Sequence, residues 1–153
     1  MAQLVNVIAP MMVTNDKLWL QTIYYPLQLF AANCNGYALD AFVQCETYDD
    51  KEYKKIPYLD VSSSYNDKTQ EMTINVVNKN ESKGIETSIV NEFGKLETKA
   101  TVYEINSANM MDENSVNEQK VKPAQKEINI KDDNFDYTFP AHSFTMIKLK
   151  IKS

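Results

Sequence analysis

The side chains that carry most hydrolytic, metal and redox chemistry are few in this chain, and they stand apart. His142, the only histidine, occupies Pro140-Ala141-His142-Ser143, just ahead of an alternating apolar run. Ser143 is its neighbour in sequence only: a hydrolytic triad also needs an orienting acid and an oxyanion hole, and no motif signals either. His142 therefore reads as a structural histidine at a strand entrance. Cys34 and Cys45 form no CxxC motif, and no second histidine supplies zinc-ligand spacing. They read as free thiols in or near a core, with a disulfide between them the open alternative. Glu46, Asp49, Asp50 and Glu52 raise the idea of calcium. They lack the central glycine of an EF-hand loop and are interspersed with Lys51, Lys54 and Lys55. A solvated loop is the simpler reading, and no metal or cofactor is expected. Aromatic rings are more numerous: Trp19, Tyr24, Tyr25, Tyr48, Tyr53, Tyr58 and Tyr65. Rings of this kind pack cores and can also form platforms for sugars. Packing is preferred for most of them, while Tyr48 and Tyr53, in a charged stretch, are the candidates for a sugar contact.

The composition narrows the partners. The 153 residues suffice for one ordinary domain and could bury roughly 70% of their unfolded surface without a staple. Sixteen basic and 21 acidic residues give a net charge of −5. Every basic residue is lysine, so bidentate clamping of phosphate or carboxylate is absent. A nucleic-acid partner is disfavoured. No apolar run reaches the length of a membrane-spanning helix, and none is expected. Met1 is followed by apolar and amide residues without a basic start, so no signal peptide is read and the compartment stays open.

The elements that would position these residues change character near Gly36. In residues 2–13, Leu4, Val5, Val7, Ile8, Met11 and Met12 recur at i, i+3 and i+4, which predicts a buried helix ended or kinked by Pro10. Thr14 to Lys17 reads as a turn. A second helix is expected from Gln21 to Asn33, with Pro26 in its first turn and Gly36 as its stop. After Gly36 the period is two. Strands are expected at Leu59–Tyr65, Met72–Val76, Ile85–Val90, Leu96–Ile105, Gln125–Ile130, Phe135–Phe139 and Ser143–Lys152. The polar run from Asn66 to Glu71 should join the first two as a hairpin. In the last strand Thr145, Ile147, Leu149 and Ile151 share one face, and Lys148 and Lys150 the other. Ser107 to Lys122 is a polar excursion loop with a helical turn expected at Ala108–Met111. The whole predicts an antiparallel sandwich behind an apolar helical head too wide to be covered by the sandwich alone.

Several segments carry a family likeness. AQLVNVIAPMM and TIYYPLQLFA resemble the last turn of the catalytic barrel in glycoside hydrolase family 51. VQCETYDDKEYKKIPYLDVSSSYND resembles the start of that family's C-terminal β-sandwich, and VKPAQKEINI with FDYTFPAHSFTMIKLKI its closing strands. The resemblance implies a mainly β fold: a jelly-roll-like antiparallel sandwich at 37–153, preceded at 1–36 by one or two helices left from a (β/α)8 barrel. It implies a parent that hydrolyses terminal α-L-arabinofuranosyl groups in arabinan or arabinoxylan with retention, using two glutamates about 5 Å apart. In the family both lie on barrel strands before the matching segment, so no catalytic residue carries over to this chain. Gln3 matches a glutamine that reaches toward the sugar pocket, and its amide can donate and accept.

Three readings follow. The first is a non-catalytic C-terminal domain that braces the parent's barrel in cis and meets arabinose-containing glycans only through it. The second is a stand-alone carbohydrate-binding sandwich using Tyr48 and Tyr53. The third is an oligomerisation domain, a homodimer through the apolar head.

Overall fold

A computed structural model describes residues 4–6 and 8–152. The head departs from the expected pair of helices. In place of the first, strands β1 (Met11–Val13) and β2 (Leu18–Leu20) form a hairpin, with Met11 opposite Leu20 and Val13 opposite Leu18. Its turn is Thr14 to Lys17, closed by the Thr14 N–H on the Lys17 carbonyl at 2.9 Å. Two local features defeat the helix. Pro10 has no N–H to donate and disfavours helical backbone at Ala9. Asn6 takes a left-handed φ of 59°, and its side-chain oxygen accepts the Val13 N–H at 2.7 Å, capturing a donor for the turn. The second helix does form, as α1 (Tyr24–Asn33), with Pro26 in its first turn.

Gly36 delivers the chain from α1 to the sheet. Its φ is +103°, and a Cβ there would lie 2.3 Å from the Tyr65 carbonyl oxygen, so both the dihedral and the close approach require glycine. Then follow β3 (Tyr37–Leu39), the short pair β4 (Thr47–Tyr48) and β5 (Ile56–Pro57), and the long strands β6 (Leu59–Asn66) and β7 (Glu71–Asn78). After these come β8 (Ile85–Val90), β9 (Lys99–Ile105), β10 (Ala124–Asn129), β11 (Asn134–Phe139) and β12 (Ser143–Lys150). Six strands make one antiparallel sheet in the order β10-β9-β12-β7-β6-β3, while β11 pairs with β8 and β4 with β5 in separate two-stranded sheets. The polar run after Asn66 is the β6–β7 hairpin, with Asn66 opposite Glu71.

The period-two pattern places the main core between these layers. Leu59, Met72, Val76, Ala100, Val102, Ile147 and Leu149 point inward from the large sheet. They meet Tyr137 and Phe139 of β11, with Ile85 and Ile89 of β8 packed beside them. Each Val, Leu, Ile, Met or Phe among them that is fully removed from water contributes roughly 1.5–3 kcal/mol. The outer face of the sheet is covered too. Phe144 and Met146, on the opposite side of β12 from Ile147, are buried under Tyr25 and Leu29 of α1, with Ile105 and Val121 completing a second core. The architecture is therefore a β-sandwich with a helix on the outside of its larger sheet. The expected helical turn at Ala108–Met111 is a hydrogen-bonded turn, with the Asp112 N–H on the Asn109 carbonyl at 3.0 Å.

Candidate functional site

Helix α1 and its N-cap residue Ile23 carry two apolar stripes, and among the described residues only one of them is buried. Tyr25 and Leu29, four residues apart, lie against the sheet at 5% and 8% exposure. Ile23 and Leu27 lie around the other side, at 50% and 54% exposure. The β1–β2 hairpin and the turn before it add Leu4, Ile8 and Leu18 to the exposed apolar surface. Between hairpin and helix runs a cleft of about 470 Å³, lined by Leu4, Pro10, Met11, Tyr24, Leu27 and Ala31 among others. A wide apolar surface on one end of a domain is the mark of a packing interface, because monomeric surfaces seldom keep such area in water.

The excursion loop between β9 and β10 is pinned beside α1 by polar anchors. Asn114, 3% exposed, donates to the Leu20 carbonyl at 3.0 Å and to the Val121 carbonyl at 2.8 Å, and accepts the Val121 N–H at 2.8 Å. Gln119 donates to the Tyr25 hydroxyl. Ser107 donates to Asp112 at 2.5 Å, and that hydrogen bond, with Lys120 nearby at 3.4 Å, holds the Asp112 carboxyl below the usual carboxylate range. His142 reaches the same loop: Nδ1 is 2.8 Å from the Glu81 carbonyl oxygen and Nε2 is 2.9 Å from that of Ser107. A groove of about 790 Å³ runs between the loop, α1 and the outer face of β6 and β7. His142 is thus set between backbone carbonyls of two segments, and Ser143 turns to the Pro140 carbonyl at 2.7 Å.

The remaining candidates fall elsewhere. Gln3 lies outside the described residues. Tyr48 is half-buried on β4, its ring 4.9 Å from that of Tyr58. Tyr53 is exposed in the turn that follows, where its carbonyl accepts the Asp50 N–H at 2.8 Å. In the neighbouring acidic stretch Asp49 pairs with Lys54 at 3.4 Å and Glu46 with Lys83 at 3.7 Å. Among the described residues no group of three or more His, Cys, Asp or Glu side chains is arranged to hold a metal ion. Cys34 packs with the outer core and Cys45 against the inner one, and both are free thiols. Two buried amides escaped the sequence reading, Asn114 and Asn78. The Asn78 side chain is 1% exposed, donates toward the carbonyls of Lys83, Phe139 and Pro140 at 2.9–3.1 Å, and accepts the Asn80 N–H at 2.9 Å. The strand expected at Met72–Val76 stops short of it, and although Asn80 and Lys83 are near in sequence, the Phe139 and Pro140 carbonyls are 61 and 62 residues away.

Residues 1–143 match the family described as the α-L-arabinofuranosidase C-terminal domain. The probable α-L-arabinofuranosidase C of Aspergillus terreus is 33% identical over 160 aligned positions, which take in 97% of this chain and 29% of that protein. The intracellular exo-α-(1→5)-L-arabinofuranosidase of Halalkalibacterium halodurans is 38% identical over 86 positions, 56% of this chain and 17% of its own length. Among solved structures, the α-L-arabinofuranosidase of Thermotoga maritima, crystallised as an arabinose complex, superposes with a TM-score of 0.89 at 24% identity. That alignment covers 98% of this chain and 33% of the other, and shows a shared fold. The chain thus spans less than a third of the length of these relatives. The carbohydrate-binding and oligomerisation readings gain nothing from these matches. The family match over most of the chain, together with the sandwich and its external helix, makes this chain a member of the α-L-arabinofuranosidase C-terminal domain family.

Proposed function

We propose that this chain is the non-catalytic end of a retaining α-L-arabinofuranosidase and that its apolar head is the surface on which the catalytic barrel packs. On this reading residues 1–36 belong to the barrel's last turn and residues 37–153 form the bracing sandwich. The observation that carries it is the doubly apolar α1. One stripe, Tyr25 and Leu29, is committed to the sheet, and the other, Ile23 and Leu27, stays half exposed among the described residues. A helix apolar on two sides is stable when it is an interior layer. Gln3, next to this surface in sequence, would be the residue that reaches from the head toward the sugar. Both glutamates of the hydrolysis would come from the barrel.

Two measurements test the proposal. The purified chain should release no 4-nitrophenol from 4-nitrophenyl α-L-arabinofuranoside above the blank; turnover sinks the non-catalytic reading. Leu27→Asp should change the stability of this chain by no more than about 0.5 kcal/mol, because the side chain is already half in water. In the chain joined to a family barrel the same change should cost about 2 kcal/mol or more, because it buries a charge. Equal effects in both contexts argue against the docking face.

A further inference from the structure

We propose that His142 is a proton-operated clamp: as the imidazolium it ties the start of the excursion loop to the β7–β8 turn, and on losing its proton it releases the Ser107 end of that loop. The geometry states the chemistry. Both ring nitrogens face backbone carbonyl oxygens, Nδ1 that of Glu81 at 2.8 Å and Nε2 that of Ser107 at 2.9 Å. A carbonyl oxygen only accepts, so each contact needs an N–H on the ring, and a neutral imidazole has one where the imidazolium has two. In the neutral form one nitrogen lone pair is set against a carbonyl lone pair. The ring is held in this position by its own backbone: His142 has a left-handed φ of 41° and donates its N–H to the Asn80 carbonyl at 2.8 Å.

Charged groups of both signs border the groove that the ring lines. Glu81 and Lys79 come from the β7–β8 turn, Asp60 from β6 and Asp112 from the excursion loop, all bordering the same groove as His142. Lys83, also in the turn, is paired with Glu46 at 3.7 Å, and Lys120 in the loop with Asp112 at 3.4 Å. The two tethered carbonyls are unequally held. Glu81 sits in a short turn secured by Asn80, whose Oδ1 accepts the Ser82 and Lys83 N–H groups at 3.2 and 2.9 Å. Ser107 heads a long loop whose nearest ties, to Asn106 and Asp112, are within the loop itself. Loss of the proton therefore frees Ser107, not Glu81, and widens the groove along Asn106 and Met110.

His142 is the only histidine, so ring 15N resonances followed from about pH 5 to about pH 8 report it alone. At the acid end both nitrogens should show the protonated signature. Hydrogen exchange at Ser107 and Asp112, corrected for intrinsic rates, should accelerate about tenfold or more as the ring titrates, the size expected for one charge-assisted hydrogen bond. In His142→Gln the exchange should be fast and flat across the range. A single neutral tautomer at the acid end with the loop fully protected overturns the clamp. So does loop protection that ignores the titration; both are read on the unmodified chain, whether or not the variant folds.

Discussion

At the residue scale, a few polar side chains decide whether the strand connections hold. The Asn78 amide shares its two N–H donors among three carbonyls and accepts one N–H where the β7 end, the β7–β8 turn and the β11–β12 turn converge. Removing it takes the side-chain donor from the buried contact with the Phe139 carbonyl and loosens the part-buried ones with Lys83 and Pro140. Asn78→Ala should lower unfolding stability by roughly 2–4 kcal/mol, read as a shift of the urea midpoint at unchanged slope. Asp133 plays a related part at the surface. It accepts the Leu96 N–H at 2.7 Å and Lys95 Nζ at 2.5 Å, and the lysine contact followed by the backbone bond holds its carboxyl below the usual range. A depressed carboxyl contributes stability that is present above its unfolded value, near 3.9, and is lost as pH falls through the folded value. The urea midpoint should therefore drop on acidification below about pH 4, and Asp133→Asn should flatten that acid limb. A limb of equal steepness in the variant contradicts the assignment.

At the element scale, the joint between α1 and the sheet is the most constrained point. Gly36 combines a φ of +103° with backbone contact to Tyr65, and the next residue, Tyr37, already pairs with Tyr65. Gly36→Ala should cost about 2–4 kcal/mol, through left-handed strain and displacement of β3 from the sheet edge. Thermal unfolding followed by far-ultraviolet circular dichroism measures it; a change within error means that α1 and β3 adjust independently. Much at this scale was legible. Alternation in Leu59–Tyr65 and in Thr145–Ile151 named the inward faces correctly, and the turn at Thr14–Lys17 and the helix stop at Gly36 stand where their residue types put them. The first helix was misread. Apolar residues at i, i+3 and i+4 in a stretch this short fit a hairpin strand and its turn equally well, and Pro10 and Asn6 decide for the hairpin.

At the scale of the whole molecule, the chain is a sandwich with its own core and an apolar end that the core does not consume. The contrast between Leu27→Asp alone and Leu27→Asp in a longer protein belongs here, because only the assembled context turns an exposed stripe into a buried one. The relatives are about three times as long as the matched region, in keeping with such a context. The groove bordered by His142 is also a property of this scale. It exists because α1, the excursion loop and β6–β7 meet along one side of the large sheet.

The sequence by itself determined the fold class, the strand faces and the family likeness, since these follow from residue type and local period. The tertiary structure alone decided three things. It made the head a hairpin, through the pairing of Met11 with Leu20. It buried Phe144 and Met146 on the face of β12 opposite Ile147, because α1 returns over that side of the sheet. It also placed both nitrogens of His142 against carbonyls from segments on either side of it in the fold. Each depends on which distant segment arrives as partner, and a local period carries no record of that.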